Sequence, residues 1–287
     1  MDEQISAARR AWTVFEPVHA VVYFAPEARS HFDAAGLKGG WMGYFASRSA
    51  AMGPVAAAVV VATFHNFQPA MVERAIPDAW SFATPERVLE ARYAAVDAIL
   101  RRMWGDVSAA DIGEAAELAA QATQLLQPDG RPLYAAHAAL QTPSEPHLAL
   151  WHACTLLREH RFDGHVAMLT GYGVSGLESL VLATAQSHLD PAMLRRFRGW
   201  TEDEWNAAVA SLQQRGLLDT AGALTDAGSR LHAAVEMRTD DLAATIWNRV
   251  DPQARERLHT ILRRRAMQLE GEGGIAYPNP IGVPRPA

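Results

Sequence analysis

Apolar residues recur every three or four positions along most of this chain, which is the spacing typical of α-helices. Proline or glycine stands between the apolar segments, and the pair Thr84-Pro85 is typical of a helix start. Pro17 is expected to kink or restart the first helix. The pattern predicts helices over residues 6–23, 26–32, 39–53, 54–64, 69–80, 85–104, 106–127 and 147–170. The chain is therefore predicted to be mostly α.

Residues 189–250 have a different sequence pattern, which predicts short helices on either side of a tight turn. Thr201 and Glu204 have the spacing of a capping box, and Thr225 is placed to cap a long final helix. The segments Leu212-Gln-Gln-Arg-Gly-Leu-Leu and Leu224-Thr-Asp-Ala-Gly resemble the second half of winged-helix domains of the MarR type. The resemblance covers about 60 residues. It implies a C-terminal winged-helix unit with three helices and a short β-hairpin.

Three regions follow from these patterns. Residues 1–145 are predicted to form a helical domain, and residues 146–270 a helix with a polar belt followed by the winged-helix domain. Residues 271–287 are rich in glycine and proline, so they are predicted to be a flexible tail.

Composition narrows the class of protein. The 287 residues carry a net charge of −6 and a single cysteine, Cys154. With one cysteine, neither a disulfide nor a cysteine-rich zinc site can form within the chain. No signal peptide and no apolar run of about 20 residues is present, which predicts a cytoplasmic protein without a membrane span.

DNA binding is not expected, because the first turn of the predicted recognition helix reads Glu202-Asp203-Glu204 and residues 217–227 hold no basic side chain. The cluster Arg195, Arg196 and Arg198 is the counter-evidence, since it could meet backbone phosphates. A homodimer is expected through the helix over residues 231–250, whose apolar positions exceed what one small domain needs.

The segment 148–169 is apolar on every side, as in a buried helix, yet its middle is charged. Buried charges are costly unless they are paired or used, so this belt is a candidate site. Glu159, His160 and Asp163 are the candidate catalytic groups, and Arg158, Arg161 and His165 the candidate substrate-binding groups. The alternative is a set of internal salt bridges. A metal held by His160 and Asp163 is a further possibility.

A second candidate cluster lies in the N-terminal half, where aromatic rings alternate with polar groups as they do in pockets for organic ligands. The cluster also contains Glu16, Phe45 and Arg48. Its candidate substrate-binding residues are His19, Tyr23, Trp41, Tyr44 and His65. The alternative is an aromatic core whose histidines are satisfied internally. A haem would need one well-placed histidine, for which His19 or His65 could serve, but no cofactor is specified.

Three passages extend a resemblance over most of the chain: Glu16-Pro-Val-His with Tyr23-Phe-Ala-Pro-Glu-Ala, Trp41-Met-Gly-Tyr, and Leu157-Arg-Glu-His-Arg. The chain is similar in them to actinobacterial winged-helix or helix-turn-helix-like proteins of unassigned function, a resemblance that implies a class and no chemistry. Signatures of nucleotide binding and of hydrolase nucleophiles are missing.

The leading hypothesis is a small-molecule-binding protein on a winged-helix scaffold, in particular an enzyme of specialised metabolism whose reaction is open. The alternatives are a ligand-responsive MarR-like transcription regulator and a non-catalytic protein that sequesters a small aromatic compound and so confers resistance.

Overall fold

The computed structural model describes residues 6–187 and 189–287. The first part of the chain forms α1 (Ala7–Ala20), α2 (Pro26–Ala34), α3 (Gly39–Ser49), α4 (Ala57–Phe64), α5 (Pro69–Glu73), α6 (Ala79–Phe82), α7 (Pro85–Trp104), α8 (Ala110–Thr123) and α9 (Pro132–Ala138). The second part forms α10 (Pro146–Gly171), α11 (Gly176–Ser187), α12 (Pro191–Arg198), α13 (Glu202–Gln214), α14 (Asp226–Trp247) and α15 (Pro252–Met267). The prediction of a mostly helical protein is confirmed.

Local signals explain several helix boundaries. The Thr84 hydroxyl accepts from the backbone N–H of Arg87, three residues into the first turn of α7. Helix α1 runs through Pro17 and ends in a 3-10 turn, Val21–Tyr23. The helix predicted over residues 69–80 is instead two short helices, α5 and α6, because a turn that contains Pro77 separates them. Helices α9, α11 and α15 were not predicted.

Helix α10 is the centre of the first hydrophobic core. It packs against α1, α7, α8, α9 and α14, so neighbours surround most of its length. Leu150, Trp151 and Cys154 on α10 are fully buried beside Phe45 of α3 and Ile99 of α7. Because helices cover α10 on all sides, the charged residues in its middle must be paired within the protein or face an internal space.

A second, smaller core lies beyond the C-terminal end of α10. It is built from Leu169 and from residues of α11, α13 and the first half of α14, among them Leu180, Trp205, Leu212 and Val235. Helix α14 contributes to both cores, since its later residues Ala243, Ile246 and Trp247 are buried in the first one. These apolar residues of α14 are therefore used within the chain, and the predicted dimer through this helix stays a prediction.

The β-hairpin predicted for the winged-helix unit is not found, and the described residues contain no strand. The chain does reverse at the predicted turn, where the Asp219 carboxylate accepts from the backbone N–H groups of Ala221 and Ala223, both at 2.9 Å. A single antiparallel bridge joins Leu218 to Leu224. The bridge is made by two hydrogen bonds, from the backbone N–H of Asp219 to the Ala223 carbonyl and from that of Thr225 to the Leu217 carbonyl. Pairing stops there because Thr225 is already the N-cap of α14.

The segment predicted as a tail, residues 271–287, lies along the first core. Ile275 and Val283 are buried in it, and the Asn279 amide donates to the Val283 carbonyl and accepts from its N–H. The flexibility of this segment stays a prediction.

Across the described residues, no single helix is both long and apolar enough to cross a membrane; two bent helix pairs reach that length and composition only together.

Candidate functional site

A cavity of about 290 Å³ lies between the two cores. One wall comes from α1, α3, α10 and the loop after α4, and the other from α11, α12 and the first half of α14. Residues 280–282 close part of it. The volume is at the lower end of the range for small-molecule sites, about 300 to 1,000 Å³. The walls hold six aromatic rings, those of Trp12, Tyr23, Tyr44, Phe64, Phe67 and Phe162.

The inner end of the cavity rests on a buried carboxylate. Arg48 of α3 binds Glu159 of α10 through two parallel hydrogen bonds, of 3.1 Å from Nε and 2.9 Å from Nη2. Arg158 binds the same carboxylate at 2.7 Å and reaches Glu16 of α1 at 3.4 Å. Burial by itself would raise the pKa of Glu159, but Arg158 and Arg48 outweigh it and hold that pKa well below its ordinary value. Glu159 is therefore ionised and fully paired.

Aromatic rings hold the two arginines in place. The Arg48 guanidinium lies between the rings of Phe64 and Phe162, at 4.2 and 4.5 Å, and Arg158 lies 4.6 Å from Phe162. Such cation–π contacts stabilise a charge that has lost its water. The paired charges and the rings thus form one rigid floor under the cavity.

A hydrogen-bonded chain leads from the cavity wall into the first core. The Thr155 hydroxyl donates to the Trp151 carbonyl, so His19 Nδ1 must donate its proton to Thr155, at 3.0 Å. His19 Nε2 is then an acceptor, and the Tyr23 hydroxyl donates to it at 3.1 Å. This tautomer is assigned from the network. Burial, together with Arg158, holds the pKa of His19 well below its ordinary value, so the imidazole is neutral.

Tyr23 also accepts a hydrogen bond from Arg92, whose Nη2 lies 3.1 Å from the phenol oxygen. Arg92 is fully buried, and its other side-chain partner among the described residues is the Ser47 hydroxyl. Burial raises the pKa of Tyr23. A protonated phenol between a neutral imidazole and a guanidinium is thus placed at the cavity wall.

The predicted catalytic triad does not converge. Glu159 faces the floor of the cavity, whereas His160 and Asp163 face α9 on another side of α10. The Asp163 carboxylate accepts from the backbone N–H of Tyr134 at 2.9 Å, and Arg131 donates to the His160 carbonyl. Burial raises the pKa of Asp163 to about 6, and burial with Arg131 lowers that of His160 to about 3. The surroundings of these two residues are those of a helix–helix contact.

The predicted substrate-binding arginines take two places. Arg158 lines the inner end of the cavity, and Arg161 lines its outer end, where it binds Asp240 of α14 at 2.7 Å. His165 lies beside Arg161 and shares a hydrogen bond of 3.0 Å with Thr239. Burial lowers the pKa of His165 to about 4. These groups form a rim that joins α10 to α14.

The second predicted cluster is largely brought together. Tyr23 and Tyr44 both line the cavity, with ring centroids 5.1 Å apart, and His19 supports Tyr23 from behind. Trp41 and His65 lie outside the lining: Trp41 lies over Phe67, and His65 has a positive φ of 63° and its backbone lies against Gly176 of α11. Both ring nitrogens of His19 are occupied by hydrogen bonds, which leaves neither free for a haem iron. No three histidine, cysteine or acidic side chains of the described residues meet at one point.

Phe64 and Phe67 of the lining belong to the second predicted cluster as well. Sequence reasoning missed Phe162 and Arg198 in the lining, and Arg92 behind it. A signal for the two arginines was present. Arg198 follows Leu194 by four positions on α12, and Arg92 follows Val88 by four positions on α7. Each arginine therefore shares the buried face of its helix.

The two cores and the space between them define a helical protein that combines a helix-turn-helix unit with a ligand-sized cavity. The chain belongs to a helix-turn-helix family, whose model matches residues 8–276 and thus spans both cores. None of the curated proteins and none of the solved structures matches the chain.

The pairing of Glu159 predicts that its removal destabilises the fold. In Glu159→Gln the guanidinium groups of Arg48 and Arg158 stay buried without their shared anion, so we expect a loss of about 3 to 5 kcal/mol in the free energy of unfolding. Urea unfolding measures it. The matched control is Glu114→Gln, which removes an exposed partner of Arg257 and should cost about 1 kcal/mol or less. Equal losses for the two variants would contradict this pairing.

The raised pKa of Asp163 predicts a dependence on pH. A carboxyl that binds its proton more tightly in the folded state favours folding at low pH, and this contribution is lost as the pH rises. The shift from 3.8 to about 6 corresponds to about 3 kcal/mol. We expect Asp163→Asn, which keeps an acceptor oxygen, to become steadily more stable than the wild type between about pH 4 and pH 7. A difference in unfolding free energy that does not change with pH would refute this.

Proposed function

We propose that this protein binds a small organic ligand in the cavity between its two cores. The observation that carries the proposal is the chemistry of the walls, in which aromatic rings supply apolar contact and fixed arginine N–H groups supply orientation. Sites for small molecules combine these two features. The helix-turn-helix unit would serve as one wall of the site.

Within this proposal the protein is an enzyme of specialised metabolism or a protein that sequesters its ligand. Tyr23 is the residue on which the two versions differ, since Tyr23 lines the cavity and its hydroxyl is hydrogen-bonded to His19. In an enzyme, the phenol oxygen would take a proton from the ligand as the phenol's own proton passes to His19 Nε2. In a sequestering protein the same hydroxyl would only bind. The reaction itself is left open.

A ligand-responsive regulator is the second candidate. It is favoured by the helix-turn-helix family and by the cavity's position, because α11 and α12 of the helix-turn-helix unit supply part of the lining. A ligand could then change how this unit sits on the first core. The MarR-type character of the unit, the actinobacterial origin and the homodimer remain proposals.

A cavity site predicts saturable binding of a neutral aromatic dye. N-phenyl-1-naphthylamine fluoresces more strongly in apolar surroundings, so its titration reports on the cavity. We expect Ala183→Trp, which fills the cavity from α11, to weaken the binding of this dye about tenfold or more. Gln186→Trp is the control, because residue 186 is exposed on the same helix. The proposal fails if both variants bind the dye as the wild type does.

A regulator would bind a specific DNA sequence, and we expect that this protein does not. The first turn of α13 carries three acids, α13 contains no basic residue, and Arg195 is paired with Glu202. Such a helix repels phosphates. We therefore expect no sequence-dependent binding of duplex DNA from the protein's genomic neighbourhood at about 150 mM salt, measured by fluorescence anisotropy. Nanomolar, sequence-dependent binding would favour the regulator instead.

A further inference from the structure

We infer that the cavity takes an aromatic carboxylic acid and that Arg198 is the residue that binds its carboxylate. This inference rests on the proposed function, since it names the class of ligand for the same site.

The arginines that line the cavity outnumber the carboxylates that pair with them by one. Five arginines take part, and four carboxylates lie within salt-bridge distance of them. The arginines are Arg9, Arg48, Arg158, Arg161 and Arg198, and the carboxylates are Glu16, Glu159, Glu236 and Asp240. Of these five arginines, Arg198 is the one without a carboxylate partner among the residues that the structure describes. The lining of the cavity therefore holds one guanidinium that no carboxylate neutralises.

Arg198 is also short of hydrogen-bond acceptors. Its side chain is 6% exposed, and its guanidinium lies 4.6 Å from the ring of Phe67. Its hydrogen bond within the described chain goes from Nη2 to the Pro280 carbonyl at 3.2 Å, and its buried Nε has no acceptor. Burial, with Arg48 and Arg158 nearby, lowers the pKa of Arg198 to about 10, so the group is still charged at neutral pH. A buried cation in this condition is stabilised by an anion that arrives from outside.

The unpaired guanidinium of Arg198 and the shape of this donor select the anion. A carboxylate carries a single negative charge, and its two oxygens match the planar fork of a guanidinium. The rings of Tyr44 and Phe67 lie beside Arg198 and give the rest of the ligand an apolar surface. An aromatic ring joined to a carboxylate therefore satisfies both parts of the cavity at once.

The test compares 2-naphthoate with 2-naphthamide, two compounds of almost the same shape that differ in charge. Each is used to displace N-phenyl-1-naphthylamine from the full-length protein. We expect 2-naphthoate to bind about tenfold more tightly than the amide, or more, because a charge-assisted hydrogen bond replaces a neutral one. Equal affinities would overturn the inference and leave the proposed function intact. If the dye does not bind in the cavity of the wild-type protein at all, the proposed function itself is overturned.

Arg198→Met identifies the residue, and Arg196→Met, an exposed position on the same helix, is its control. We expect Arg198→Met to abolish the preference for 2-naphthoate, so that the acid and the amide displace the dye at about equal concentrations, whereas Arg196→Met keeps the preference. The melting temperature without ligand is a second readout, and we expect it to be no lower than that of Arg196→Met, because the substitution removes an uncompensated buried charge. An unchanged preference for 2-naphthoate, or a large fall in the melting temperature of Arg198→Met alone, would show that Arg198 has a structural role instead.

Discussion

The interaction on which the rest of this structure depends is the buried carboxylate of Glu159. It lies in the middle of the central helix and accepts from Arg48 and Arg158 at the same time. Buried charges are costly unless they are paired in a fixed geometry, and the rings of Phe64 and Phe162 hold Arg48 in that geometry. The requirement couples α3 to α10. It also places a rigid, ionised floor under the space between the two cores.

This floor determines the protonation of its neighbours. Burial is the largest effect that opposes protonation of His19, and Arg158, Arg92 and Arg48 act in the same direction, so His19 is left as a neutral acceptor for Tyr23. Tyr23 in turn keeps its proton and lines the cavity. The polar groups of the wall are thus fixed by the charges beneath them, and a ligand would meet donors that need no rearrangement.

The sequence allowed the helices to be predicted, but it did not reveal their partners. Periodicity located α7, and the capping box at Thr201 is present as expected, because these signals are local. Glu159 and Asp163 share one stripe of a helical wheel, yet one pairs with arginines and the other caps α9, since a single helical turn separates two different neighbours. Long-range contacts of this kind leave no periodic trace. The absent hairpin has a similar cause: the turn was correctly located, but the cap at Thr225 used the residues that a strand would need.

Arg198 is the residue whose observed surroundings differ most from those that the sequence suggests. In the sequence it stands in a basic cluster that suggests phosphate contacts, whereas in the fold the segment around residues 66–68 covers it: Gln68 donates its backbone N–H to the Arg198 carbonyl, and the ring of Phe67 packs on the guanidinium. The end of α12 is thereby fixed to the first core, although α12 belongs to the helix-turn-helix unit. In the proposed function, an anion at Arg198 that also touches Tyr44 would tie the two cores together. The free energy gained at this contact would then oppose their separation, as ligand binding to a folded state does. In the same proposal, the helix-turn-helix unit, with its acidic first turn on α13 and the buried arginine at the end of α12, forms one wall of the ligand site and does not read a nucleic acid.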